Sequence, residues 1–117
     1  MNISLQTLLE PSYVPAANAA IFTNTTGQSV LLQKVTFTNN SNAAVTLSLN
    51  WVPSGGAAGA ANLIVNATSV SPKGPTNDGI YECIGLEGHI LAPGDSLWAV
   101  AGTADTLVAA ISGSLIS

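Results

Sequence analysis

The stretch Val45-Thr46-Leu47-Ser48-Leu49-Asn50-Trp51 constrains the fold more than any other part of this chain. Apolar Val45, Leu47, Leu49 and Trp51 alternate with polar Thr46, Ser48 and Asn50. Successive side chains of an extended backbone point to opposite sides, so a period of two makes one apolar and one polar face. A segment of that kind is a strand half-buried against a second layer. Val35-Thr36-Phe37-Thr38 repeats the alternation just upstream, and Asn39-Asn40-Ser41-Asn42 between them is rich in residues that accept turn geometry. The spacing predicts an antiparallel hairpin of residues 30–38 with 43–52.

Further strands are expected at 20–23, 62–70, 80–86, 89–91, 97–101 and 106–116, the last bent at Gly113. Residues 5–9 add one at the N-terminus. Leu91-Ala92-Pro93-Gly94-Asp95 places Pro before Gly, the order of a type II turn. Residues 54–61, built of Ser, Gly and Ala, suit a flexible loop or a close backbone contact with a neighbour. No window supports a helix of ordinary length, since the pattern at 6–10 stops at Pro11. About eight strands with turn signals every ~8–12 residues describe a single-domain antiparallel β-sandwich or barrel. A chain of 117 residues holds one such domain and not two.

Charge narrows the function classes. Only 7% of the residues are charged, against roughly 25% in an ordinary globular domain. Ser, Thr and Asn replace them, and these residues can be buried cheaply once hydrogen-bonded. So neutral a chain suits permanent contact with copies of itself or with a larger assembly. Six acids against two lysines, with no arginine, give a net charge of −4. Lys34 and Lys73 cannot displace the counterions of a nucleic acid, nor bind an anionic membrane surface. Every apolar run is interrupted well short of the ~20 residues that span a bilayer. The N-terminus lacks the basic and apolar regions of a secretory signal, and one cysteine allows no internal disulfide, so synthesis in a cytoplasm is expected.

From Lys34 the sequence runs KVTFTNNSNAAVTLSLNWVPSGGAAGAANLIVNATSV, followed later by LAPGDSLWAVAGTADTLVAAISGSLIS. An inner strand ends in Thr38-Asn39, and an alternating strand, a small-residue loop and an extended segment follow. A Pro93-Gly94-Asp95 turn and a closing apolar strand with a Ser-Gly step complete the series. This succession resembles small virion proteins of tailed bacteriophages, over most of the chain after residue 20. The resemblance implies a jelly-roll sandwich, commonly trimeric, mounted on a capsid or a tail. Some such proteins act as cement or decoration that clamps capsid subunits, and others sit at the neck or carry receptor-binding tips. On this view the protein resides in the virion, assembled in the host cytoplasm, with a major capsid protein or another virion protein as partner. Residues 1–18 fall outside the resemblance. They are expected to form an arm for attachment or inter-subunit contact, ahead of a sandwich over 19–117.

Candidate chemistry is sparse. His89 is the only histidine, with Glu87 two positions before it and Asp95 six after. That is too thin for a metal or acid–base site, and a histidine at a strand start more often lies at a surface or interface. Glu82 alternates with Ile80 and Ile84 and is a candidate partner for Lys34 or Lys73. Cys83 lacks an obvious base and reads as a core residue. No Gly-x-Ser-x-Gly occurs, and Gly55-Gly56 does not precede a helix. Neither catalysis nor a cofactor is expected. Trp51 is in phase with its apolar face, whereas Trp98 is out of phase with Leu97 and Ala99 and is expected at a surface. Interface candidates are therefore Trp98 together with Leu5, Leu8, Leu9 and Tyr13 of the N-terminal segment. The alternative reading is a carbohydrate- or receptor-binding sandwich with Trp98 as its stacking platform.

Overall fold

The computed structural model describes residues 3–116. Nine strands account for most of them: β1 (Ile3–Tyr13), β2 (Ala19–Thr23), β3 (Ser29–Asn39), β4 (Val45–Val52), β5 (Leu63–Val70), β6 (Ile80–Glu82), β7 (Ile90–Leu91), β8 (Ser96–Ala101) and β9 (Leu107–Ile116). A single 3-10 turn, Ala60–Asn62, leads into β5. Sheet A has the order β1-β9-β3-β6, with β7 also pairing β3, and sheet B the order β2-β8-β4-β5. All pairings are antiparallel. Early strands pair with late ones: β1 with β9, β2 with β8, β3 with β6 and β7, β4 with β5. That nested pairing, folded over into two sheets, is the jelly roll.

Between the sheets lies one core, in which Phe37, Leu32, Leu47, Leu49, Leu97, Leu107 and Ile111 are closed off from solvent. The alternation of β4 holds through Leu49, with Val45, Leu47 and Leu49 inward. Burying each such side chain contributes about 1.5–3 kcal/mol.

The expected β3–β4 hairpin does not form. The two strands lie in different sheets, and residues 40–44 carry the chain across the sandwich. A turn between sheets and a turn between neighbouring strands draw on the same small polar residues. At this corner the Asn39 side-chain amide donates to the carbonyls of Ala43 (2.9 Å) and Val70 (2.8 Å). Its Oδ1 accepts from the Ser41 amide (2.9 Å) and hydroxyl (2.7 Å). Asn24, at the β2–β3 corner, repeats the arrangement. It donates to Gln28 O (2.8 Å) and Leu91 O (3.1 Å) and accepts from the Thr26 amide (3.2 Å) and hydroxyl (2.7 Å). Each asparagine ends a strand of one sheet and reaches a carbonyl of the other, so Thr-Asn-x-Ser/Thr is here a corner device. Both are buried.

Sheet A is tightly packed at Gly113. A Cβ there would overlap the Leu31 carbonyl oxygen, so only glycine lets β3 and β9 approach this closely. The register of β3 slips between Leu32 and Lys34 and that of β1 between Thr7 and Leu9, both beside this point. Paired bulges of this kind curl a sheet. Gly113, where the sequence predicts a bend in the last strand, is the point of close approach between β9 and β3, with a register slip in each strand that flanks β9. Residues 3–13 differ from the expected arm, because they run along β9 as the edge strand of the sandwich and Val14 enters the core. The strand expected over 80–86 ends at Glu82, where turns through Gly88 begin: Leu86 N–H donates to Cys83 O (3.1 Å) and Gly88 N–H to Leu32 O (2.7 Å).

Candidate functional site

Trp51, His89 and Asp95 meet at one rim of the sandwich. The Trp51 and His89 rings sit edge to face with centroids 5.1 Å apart. Asp95 accepts from the Trp51 indole N–H (3.3 Å) and from the backbone amides of Ser54 (3.0 Å) and Ala92 (3.1 Å). The Asp95 N–H closes the turn on Ala92 O (3.0 Å), and Gly94 takes φ +90°, as the type II reading of Pro93-Gly94 requires. A carboxylate that accepts three donors of its own loops is committed to holding them. Among the described residues, no three or more His, Cys, Asp or Glu side chains gather closely enough to hold a metal ion.

Cys83 is buried under the β3–β6 edge, and its amide donates to Val35 O (2.9 Å). Burial pushes its thiol above the ordinary value, which suppresses the thiolate that a nucleophile needs. Glu82 meets Lys34 in an exposed ion pair at 2.9 Å. The hydrogen bond from Lys34, supported by one involving Glu87, holds the Glu82 carboxyl below the usual carboxylate range. The same hydrogen bond raises the Lys34 ammonium. Glu87 also accepts from the Val35 amide (3.2 Å). The expected partner of Glu82 is thus Lys34, within one chain.

The interface candidates divide between surfaces. Leu8 and Leu9 turn inward and pack against the core. Leu5 and Tyr13, 76% and 51% exposed, lie on the outer face of sheet A. Trp98 lies across the sandwich on the outer face of sheet B, opposite Asn50 in the β4–β8 register. It is half-buried, and its indole N–H is bonded to Ser96 Oγ (2.9 Å). Residues 53–62 fold over the β4 end of that face. Asn50 Nδ2 donates to Gly59 O (2.9 Å) and Asn62 Oδ1 (2.8 Å), and Asn62 Nδ2 to Ala57 O (2.9 Å). The small-residue loop is thus fastened to its own sheet. Beside it a shallow hollow of about 270 Å³ is lined by Asn18, Ser48, Asn50, Leu63 and Val100.

The register exposes what local patterns do not. Leu5, Ser114, Leu31 and Ile90 form one row across the outer face of sheet A, beside Ile3 and Ile116 in the next. Tyr13, Val108, Thr38 and Ile80 form another row toward the opposite end. Only strand pairing brings these residues together, so no linear motif announces them.

No protein-family model, curated protein or solved structure matches the chain.

Proposed function

We propose that this chain is a non-enzymatic structural protein of a bacteriophage virion, a trimeric decoration or cement protein that clamps a capsid from outside. The observation that carries the assembly role is the distribution of its exposed apolar side chains. Most of them collect on one sheet of a charge-poor jelly roll, while Asp95 and the Trp51 indole at one rim are spent on internal hydrogen bonds. Apolar surface gathered in this way is characteristic of contact with other proteins. The assignment to a virion, and the trimer, rest on the sequence resemblance. The fold is compatible with it, because jelly rolls serve as capsid domains among other uses.

Quantitative mass spectrometry of purified particles tests the proposal. Hundreds of copies per virion are expected for decoration, whereas about a dozen or fewer, a symmetry-ring number, would move the protein to a neck or tail. Absence from particles would overturn the virion assignment.

A further inference from the structure

Among the described residues, seven large apolar side chains are prominently exposed: Ile3, Leu5, Tyr13, Ile64, Ile80, Ile84 and Ile90. Ile64 alone belongs to sheet B. Ile3, Leu5, Tyr13, Ile80 and Ile90 share the outer face of sheet A, and Ile84 lies in the turn at its β6 edge. We infer that this face is where copies of the chain meet one another. The inference rests on the reading of the protein as an assembly module and gives that assembly its contact surface.

Two observations point to a second copy as the occupant. First, the ion pair on the face, Lys34–Glu82, is already closed within the chain at 2.9 Å. It offers little to a partner of either sign. Two chains that each carry a net charge of −4 repel least through such a face. Second, the size is right. Three strands of ten or eleven residues, with β6 and β7 sharing the fourth position, make a face of about 590 Å² at ~3.3 Å per residue and ~4.8 Å per strand, at the lower end of the ~600–1,000 Å² that each partner contributes to a stable interface.

Light scattering of the full-length chain and of Leu5→Lys, Ile90→Lys and Ile64→Lys, each checked for fold by circular dichroism, tests the inference. The wild type is expected at a multiple of 11.7 kDa. Leu5→Lys and Ile90→Lys should each weaken association roughly 30-fold or more, because each sets an unpaired ammonium in an apolar contact. Ile64→Lys, on the other sheet, should leave it unchanged. An oligomer disrupted only by Ile64→Lys would overturn the inference while the assembly reading stands. So would a monomeric wild type that binds purified capsids and loses binding on Leu5→Lys, since the occupant would then be the capsid. A monomer that binds no particle overturns both.

Discussion

Asn39→Ala is the most informative single change, because the sandwich corner hangs on one side chain. The substitution removes four hydrogen bonds: two donated to Ala43 O and Val70 O, and two accepted from Ser41. The bond to Val70 O is buried, so stranding that carbonyl costs about 1–3 kcal/mol. The other three lie where water can partly replace the lost partner, at about 0.5 kcal/mol each. The sum is roughly 3 kcal/mol, and at roughly 4 °C per kcal/mol for a domain of this size the melting temperature falls by about 12 °C. Urea denaturation followed by the fluorescence of half-buried Trp51 and Trp98 measures the loss directly. Asn39→Asp separates donors from acceptors: it keeps the Ser41 bonds but sets a carboxylate oxygen against two carbonyls, and should be at least as damaging. Ser41→Ala should cost under about 1 kcal/mol. An Asn39→Ala protein that melts within about 3 °C of wild type would refute the corner account.

Gly113→Ala forces a methyl group against the Leu31 carbonyl and should cost roughly 3 kcal/mol, the upper end for overpacking, read as a lower denaturation midpoint. Cys83 should resist thiol reagents in the native protein and react fully in denaturant, since its thiol is buried and its pKa is raised. The Glu82 carboxyl should titrate below the usual carboxylate range in an NMR pH series, and Lys34→Met should move it upward. Its folded-state pKa is depressed, so its contribution to stability is present above the ordinary carboxylate pKa and disappears as the pH falls through the folded value. Lys34 has the opposite sign: its contribution is lost as the pH rises through its raised value.

The parts of the fold legible in sequence are those governed by residues close in the chain. The alternation of Val45, Leu47 and Leu49 defines the inner face of β4, and Pro93-Gly94 defines its turn, because both depend on local backbone geometry. The destination of β4 is another matter. Asn39 reaches Val70, 31 residues away, to make a corner between sheets, and turn propensity near residue 40 does not register so distant a partner. A usable signal was present in the shared Thr-Asn-x-Ser/Thr of Thr23–Thr26 and Thr38–Ser41, which marks both corners. β1 was only partly visible because bulges between Thr7 and Ser12 break its period of two. Leu8 and Leu9, adjacent in sequence, both pack against the core there, which alternation forbids. For the sheet A face the obstacle is register. Leu5, Leu31 and Ile90 become neighbours only once β1, β9, β3 and β7 are aligned.

The order β1-β9-β3 also bears on how the chain acquires its structure. The strand that joins β1 to β3 is the last of the nine to emerge from a ribosome. Until β9 arrives, β1 has no strand to pair with, and β3 lacks its longest pairing. Closing that gap brings Ile3 opposite Ile116 across nearly the whole chain, a loop-closure cost that precedes any reward in hydrogen bonds. Such topologies fold in milliseconds to seconds rather than microseconds. During that interval the apolar side chains of β1 and β3 are without their β9 neighbours, and crowding between nascent copies carries a risk of mispairing.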